Sequence, residues 1–135
     1  MHTSAVLAGS IRALSGISFL VAPERAQKLW SQREATDPTA RLLLRSMGYR
    51  DLLIGAGLVT AGLRNAERVP GWFLASAGAD VADLIGGLAV RDELPDRDHI
   101  TGIGGAAMGV AVGVAGALAA RRSATGAVPS ELHSR

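Results

Sequence analysis

The sequence predicts an all-α fold: an integral membrane four-helix bundle, up-and-down, with a short interfacial helix after the first span. Three observations carry this expectation. Residues 100–120 (ITGIGGAAMGVAVGVAGALAA) hold no charged side chain over 21 positions, about 31 Å as a helix and close to the hydrocarbon thickness of a bilayer. Stretches of about 5–22, 38–63 and 70–90 approach that length with few charges. Val and Ile sit in Ala- and Gly-rich runs without the alternation that marks strands.

Composition narrows the class. At 135 residues the chain has room for one domain. Hydrophobic residues make up 48% and charged residues only 19%, which excludes a disordered chain. The absence of cysteine removes disulfides and thiolate metal sites. His2, His99 and His133 are too scattered to suggest a metal site or a nucleophilic triad, and no cofactor is expected. Fourteen basic and 12 acidic residues leave a net charge of +2 with no basic block, so nucleic acid is not an expected partner. The mean hydropathy of +0.25 is low for a membrane protein because loops, tail and spans all carry charge.

Each element has local grounds. The first span, 5–22, lacks the preceding basic residues and the small-residue cleavage site of a signal peptide, and Arg12 interrupts it, so it reads as an uncleaved span. PERAQKLW follows. There Ala26, Leu29 and Trp30 share a helical face, the pattern of a helix lying on the bilayer. Asp37-Pro38 reads as an N-cap with proline at the first helical position, and Pro70 opens the third span similarly. Trp30 and Trp72 stand at span boundaries, where interfacial aromatics belong. Short connections after the second and third spans predict antiparallel neighbours. The domain is expected to cover 1–122, with a polar, flexible tail over 123–135. Four spans put both termini on one side. Five Lys or Arg there (Arg64, Arg68, Arg121, Arg122, Arg135) face six opposite (Arg25, Lys28, Arg33, Arg41, Arg91, Arg97), which leaves the side undetermined. The expected location is the cell membrane.

The candidate site consists of charges near the span centres. Arg12, Arg50, Asp51, Asp80 and Asp83 fall at similar depth. Each costs roughly 2.5–3.5 kcal/mol at a span centre, so they must pair, neutralise or line a wet cavity. Asp80 and Asp83 share a helical face with Ser76 and Gly87; Gly48, Asp51, Gly55 and Gly62 fall within about 60° on another helix. Arg50 points about 100° from Asp51 and is expected to address a different neighbour or a second subunit. Arg41 and Arg45, nearer the span start, can snorkel. Two readings overlap: a salt-bridge network fixing helix register, and a ligand pocket lined by Arg12, Arg50, Asp51, Ser76, Asp80 and Asp83. In the second, three acids against two bases leave one carboxylate without a partner. Asp80, Asp83 or Asp51 is then a candidate general acid. Asp80 and Asp83 also form a D-x-x-D pair of the kind that holds Mg²⁺ and a diphosphate, but no further aspartate follows at helical spacing, and no metal is expected. In the fourth span Gly105, Gly109 and Gly113 form a row continued by Ala117, suited to close packing within the bundle or between protomers.

The layout, with Pro23-Glu24-Arg25 after an apolar first helix and then Gly48-Tyr49-Arg50-Asp51-Leu52-Leu53-Ile54-Gly55, resembles small four-helix bacterial membrane proteins of the DoxX-like kind. It is similar in particular to domain-of-unknown-function families with a G-x-R-D-x-x-x-G helix. The resemblance spans roughly residues 5–120. It implies a four-helix bundle with Arg50-Asp51 as a family feature, and no established activity. DoxX proteins proper are linked to quinone-coupled sulfur oxidation, and nothing in this sequence would carry electrons, so that role is not transferred. The functional expectation is a small polytopic membrane protein that binds a small lipophilic or anionic ligand, or serves as an accessory subunit. The alternative is an acid-catalysed enzyme, an isomerase or cyclase, acting on a lipophilic substrate. The expected partners are the lipid bilayer, a small lipophilic ligand, and a homodimer or larger membrane complex.

Overall fold

The computed structural model describes residues 1–31 and 37–125, apart from the side chain of Ala124. Among these the chain is all-α. Four long helices, α1 (Thr3–Val21), α3 (Pro38–Arg64), α4 (Val69–Ala89) and α6 (Gly105–Thr125), are joined by shorter elements. These are α2 (Pro23–Trp30), α5 (Asp96–Asp98), 3₁₀ turns at Ala66–Arg68 and Arg91–Glu93, and a π-helical segment, His99–Gly104. Helix α3 starts as its sequence dictates: the Asp37 carboxylate accepts a hydrogen bond from the Ala40 amide at 3.0 Å, and Pro38 takes the first turn, where a missing N–H costs nothing.

Two pairs of helices carry the packing. Helix α1 lies antiparallel on α3 with almost no side chain between the backbones. A Cβ on Gly9 would stand 2.7 Å from the Gly55 carbonyl oxygen, and one on Gly16 2.5 Å from that of Gly48. The glycine seam expected on α3 therefore exists, and its counterpart is the seven-residue spacing of Gly9 and Gly16. Helix α4 lies antiparallel on α6 in the same manner: a Cβ on Gly113 would meet Ala77 at 2.8 Å, and one on Gly116 the Phe73 ring at 2.6 Å. Within the small-residue row of α6, Gly109 and Gly113 face α4 of the same chain, while Gly105 lies towards Trp30. The pairs join through Leu58, Val69, Phe73 and Ala117, the centre of the core. The short turn between α3 and α4 gives only a thin seam, in which the Trp72 ring lies over Gly57.

Two expectations need correction. First, the last long helix does not run as an α-helix from residue 100. The chain is π-wound over His99–Gly104 and becomes α-helical at Gly105. Three glycines in 102–105 give that turn few side-chain contacts to hold a 3.6-residue register, and the Thr101 hydroxyl meets the carbonyls of Trp30 and Arg97. Second, the last helix continues past the expected span end at 120, through Thr125; the Ser123 and Thr125 hydroxyls bond back to the carbonyls of Ala119 and Arg121 at 3.1 and 2.9 Å. Residues 126–135, including His133 and Arg135, and also Arg33, lie outside the described residues. The expected short helix after the first span is present as α2: of its apolar face, Ala26 is buried against the protein while Leu29 and Trp30 stay exposed, and the end of the helix is tied to the α5 region by a 2.6 Å hydrogen bond from Ser31 to Asp98.

Three stretches are long and apolar enough to cross a membrane: Thr3–Val21, Ala66–Ala89 and Asp96–Ser123. Helix α3, at 27 residues, has the length and not the apolarity. Arg50 and Asp51 stand at its centre, with Arg41 and Arg45 in its first half.

Candidate functional site

The five central charges converge where the two helix pairs meet. Arg12, on α1, reaches across to α4 and α3 at once. Its Nη1 donates to the Ser76 hydroxyl at 2.7 Å and to Asp80 Oδ2 at 2.9 Å; its Nη2 donates to Asp80 Oδ1 at 2.9 Å and Asp51 Oδ1 at 3.0 Å. The Arg12–Asp80 pair is thus bidentate, the strongest arrangement open to a guanidinium and a carboxylate. Arg50 makes a second fork with Asp83, at 2.9 and 2.7 Å, and its Nε and Nη2 also reach Asp51 Oδ1 at 3.3 and 3.2 Å. Asp51 therefore bridges the two arginines, and all five groups form one ladder across α1, α3 and α4.

This geometry meets one expectation and revises another. Arg50 does address a different neighbour, Asp83 of α4, with its fork, and its flexible side chain also curls back to Asp51. None of the three carboxylates is left without a partner, because Asp51 shares one oxygen between both guanidinium groups. The expectation that one carboxylate stands without a partner is therefore not met. Asp80 and Asp83, read as a D-x-x-D pair, each face a different arginine and do not converge on a common point. Burial is graded along the ladder. The Arg12 and Asp80 side chains are 14% and 11% exposed, those of Arg50 and Asp83 32% and 39%.

Beside the inner end runs a groove of about 580 Å³ between α1 and α6, floored by α4. Leu7 and Ile11 form one wall and Met108 and Val112 the other, while Arg12, Ser76 and Asp80, all largely buried, line the floor. Gly109 makes the groove possible: a Cβ there would stand 2.5 Å from Asp80 Oδ2, in the carboxylate's own space. Arg12 uses both terminal nitrogens on protein acceptors, and its Nε is buried without a partner among the described residues. Of the residues singled out from sequence, Arg12, Asp51, Ser76 and Asp80 line this groove; Arg50 and Asp83 stand outside it. Gly87 faces Ile103 instead. The walls were not legible beforehand, since Leu7, Ile11, Met108 and Val112 are ordinary apolar residues in apolar helices. Gly109 was visible as part of a small-residue row, without any sign that a carboxylate fills its gap.

Fold and site together define a class: a small all-helical protein with three helices long and apolar enough to cross a membrane, which suggests a membrane protein, and with buried Arg–Asp pairs between its helices. The chain belongs to the family described as a domain of unknown function, DUF4267, whose family model matches residues 9–119. That range takes in every residue of the ladder and both groove walls except Leu7. No curated protein and no solved structure matches the chain.

Proposed function

We propose that this chain is a multi-pass protein of the cell membrane in which α1, α3, α4 and α6 all cross as a four-helix bundle. In this reading the groove beside Arg12 binds a lipophilic ligand whose head is uncharged or cationic. The observation that carries it is the union of apolar groove walls with a polar floor that is already internally bonded. Two guanidinium groups against three carboxylates give the ladder a formal charge of −1, and both terminal nitrogens of Arg12 are committed to protein acceptors. An anionic head would meet a net negative field with no free fork to receive it. A neutral or cationic head gains from the same field. The ladder also supports the crossing of α3, since its central charges are compensated by partners on α1 and α4 rather than exposed to lipid.

Acid catalysis has less support. It would need a carboxyl group able to hold and deliver a proton, whereas Asp51, Asp80 and Asp83 each accept hydrogen bonds from a guanidinium. The row Gly105, Gly109 and Gly113 gives no ground for a homodimer, because Gly109 and Gly113 already face α4. The likeness to DoxX-like membrane proteins belongs to the same proposal: the glycines of its motif hold α3 against α1, and its Arg50-Asp51 lies in the ladder.

The test is native mass spectrometry of protein extracted in mild detergent, on wild type and on Val112→Trp, which fills the groove from an exposed wall. The expected result is a discrete lipophilic adduct on wild type that disappears from Val112→Trp while the melting temperature holds. Absence of an adduct on wild type, or an undiminished one on the variant, would overturn ligand binding and leave an accessory subunit with structural charges.

A further inference from the structure

A second feature lies on the opposite side of the molecule, along the thin seam between α3 and α4. There a crease of about 340 Å³ runs past Leu53, Gly57 and Thr60 of α3, with the Trp72 ring closing it on the α4 side and Asn65 and Arg68 at its open end. We infer that this crease holds one acyl chain of an anionic phospholipid, with the headgroup phosphate at Arg68 and Asn65. The inference rests on the reading of α3 and α4 as membrane spans.

Dimensions, charge and position favour that occupant. From Leu53 to Asn65 the helix rises about 18 Å at 1.5 Å per residue, close to the ~15 Å half-thickness of a bilayer core. The crease thus begins near the ladder, at mid-depth, and ends at the turn, where a lipid of one leaflet would put its phosphate. Arg68 is exposed there and has no side-chain partner among the described residues. The same end of the molecule gathers Arg64, Arg68, Arg121 and Arg122, because α6 runs antiparallel to α4 and ends beside Val69. Glu67 is the one acidic residue at that end among the described residues. At the opposite end Arg25, Lys28, Arg41, Arg91 and Arg97 are interspersed with Glu24, Asp37, Asp92, Glu93, Asp96 and Asp98. Counting Lys and Arg alone gives near parity between the ends, yet the field that an anionic headgroup feels is strongly unequal. The Trp72 ring, lying over Gly57, closes the crease partway along its length.

The experiment uses the full chain purified in a neutral detergent. It is mixed with equal amounts of phosphatidylglycerol and phosphatidylcholine of the same chain length, and bound lipid is counted by native mass spectrometry. Wild type should retain phosphatidylglycerol preferentially. Arg68→Gln should reduce that preference about fivefold, the loss expected for one basic side chain near a lipid phosphate. Arg122→Gln, at the same end and outside the crease, should leave it unchanged. Thr60→Trp, at an exposed position, should remove retention of both lipids by filling the crease, and millimolar inorganic phosphate should displace neither. Equal retention of both lipids by wild type, an equal effect of Arg122→Gln, full retention by Thr60→Trp, or displacement by phosphate would each overturn the site. Failure of the membrane reading is seen separately and earlier, as a protein that stays dispersed without detergent.

Discussion

Arg12 has the most demanding position of any residue in the structure. It spends four hydrogen bonds on three acceptors from two other helices, and its removal would leave Asp80 and Asp51 facing each other at 14% exposure or less. Breaking a buried pair from one side costs about 3–5 kcal/mol, because the surviving charge stays buried. Arg12→Leu and Asp80→Leu should each fall in that range by unfolding in detergent. Asp83→Leu should cost less, since Asp83 and Arg50 are both about one-third exposed and solvent or headgroups can take over. Arg12→Leu combined with Asp80→Leu should recover most of the stability, as Asp51 keeps Arg50 for a partner. If the double variant folds and also retains its lipophilic adduct, Arg12 and Asp80 hold helices together and do not recognise the ligand.

At the scale of elements, the α1–α3 contact is made by the absence of side chains. A Cβ on Gly55 would come within 2.5 Å of the Ala13 amide nitrogen and 2.6 Å of the Gly9 carbonyl oxygen, both backbone atoms with nowhere to move. Gly55→Ala should therefore force the helices apart and destabilise by about 1–3 kcal/mol, the usual cost of overpacking. Gly78 and Gly86, on α4, have nothing within 4 Å of such a Cβ. Gly78→Ala and Gly86→Ala should be neutral or stabilising by up to ~1 kcal/mol through the helix propensity of alanine. Thermal melts of the three single variants in one detergent make the comparison. A Gly55→Ala protein as stable as Gly86→Ala would mean that α1 and α3 are not in backbone contact.

For the whole molecule, the question is the number of crossings, and α3 decides it. With α3 crossing, four spans place both termini on one side and put the turn at residues 65–68 on that side, with the turn at 91–95 opposite. With α3 lying outside the hydrocarbon, three crossings separate the termini. The chain has no cysteine, so single replacements report cleanly. Glu67→Cys and Asp92→Cys should label with an impermeant maleimide from opposite faces of sealed vesicles, with an N-terminal tag on the Glu67 side. The protein should remain in the membrane fraction after carbonate washing. Its release would end the spanning reading altogether.

Much of this architecture was determined by the sequence alone. Long uncharged stretches require helices wherever the backbone must satisfy its own hydrogen bonds. Asp37-Pro38 marks a helix start through local chemistry, and five central charges must meet because none can be left alone in an apolar interior. Glycines 48, 55 and 62 announced a close approach on one face of α3. What only the tertiary structure decided is who meets whom. Periodicity fixes the direction of a Cα–Cβ bond to within tens of degrees, but an arginine's flexible stem can turn its fork well away from that direction. Hence Arg50 reaches Asp51 as well as Asp83, and three carboxylates are satisfied by two guanidinium groups. The partner of a glycine seam and the space that Gly109 leaves for Asp80 depend on two helices whose relative register is set by long-range packing. For the same reason the groove, built from side chains of α1, α4 and α6, has no signature in any one of them.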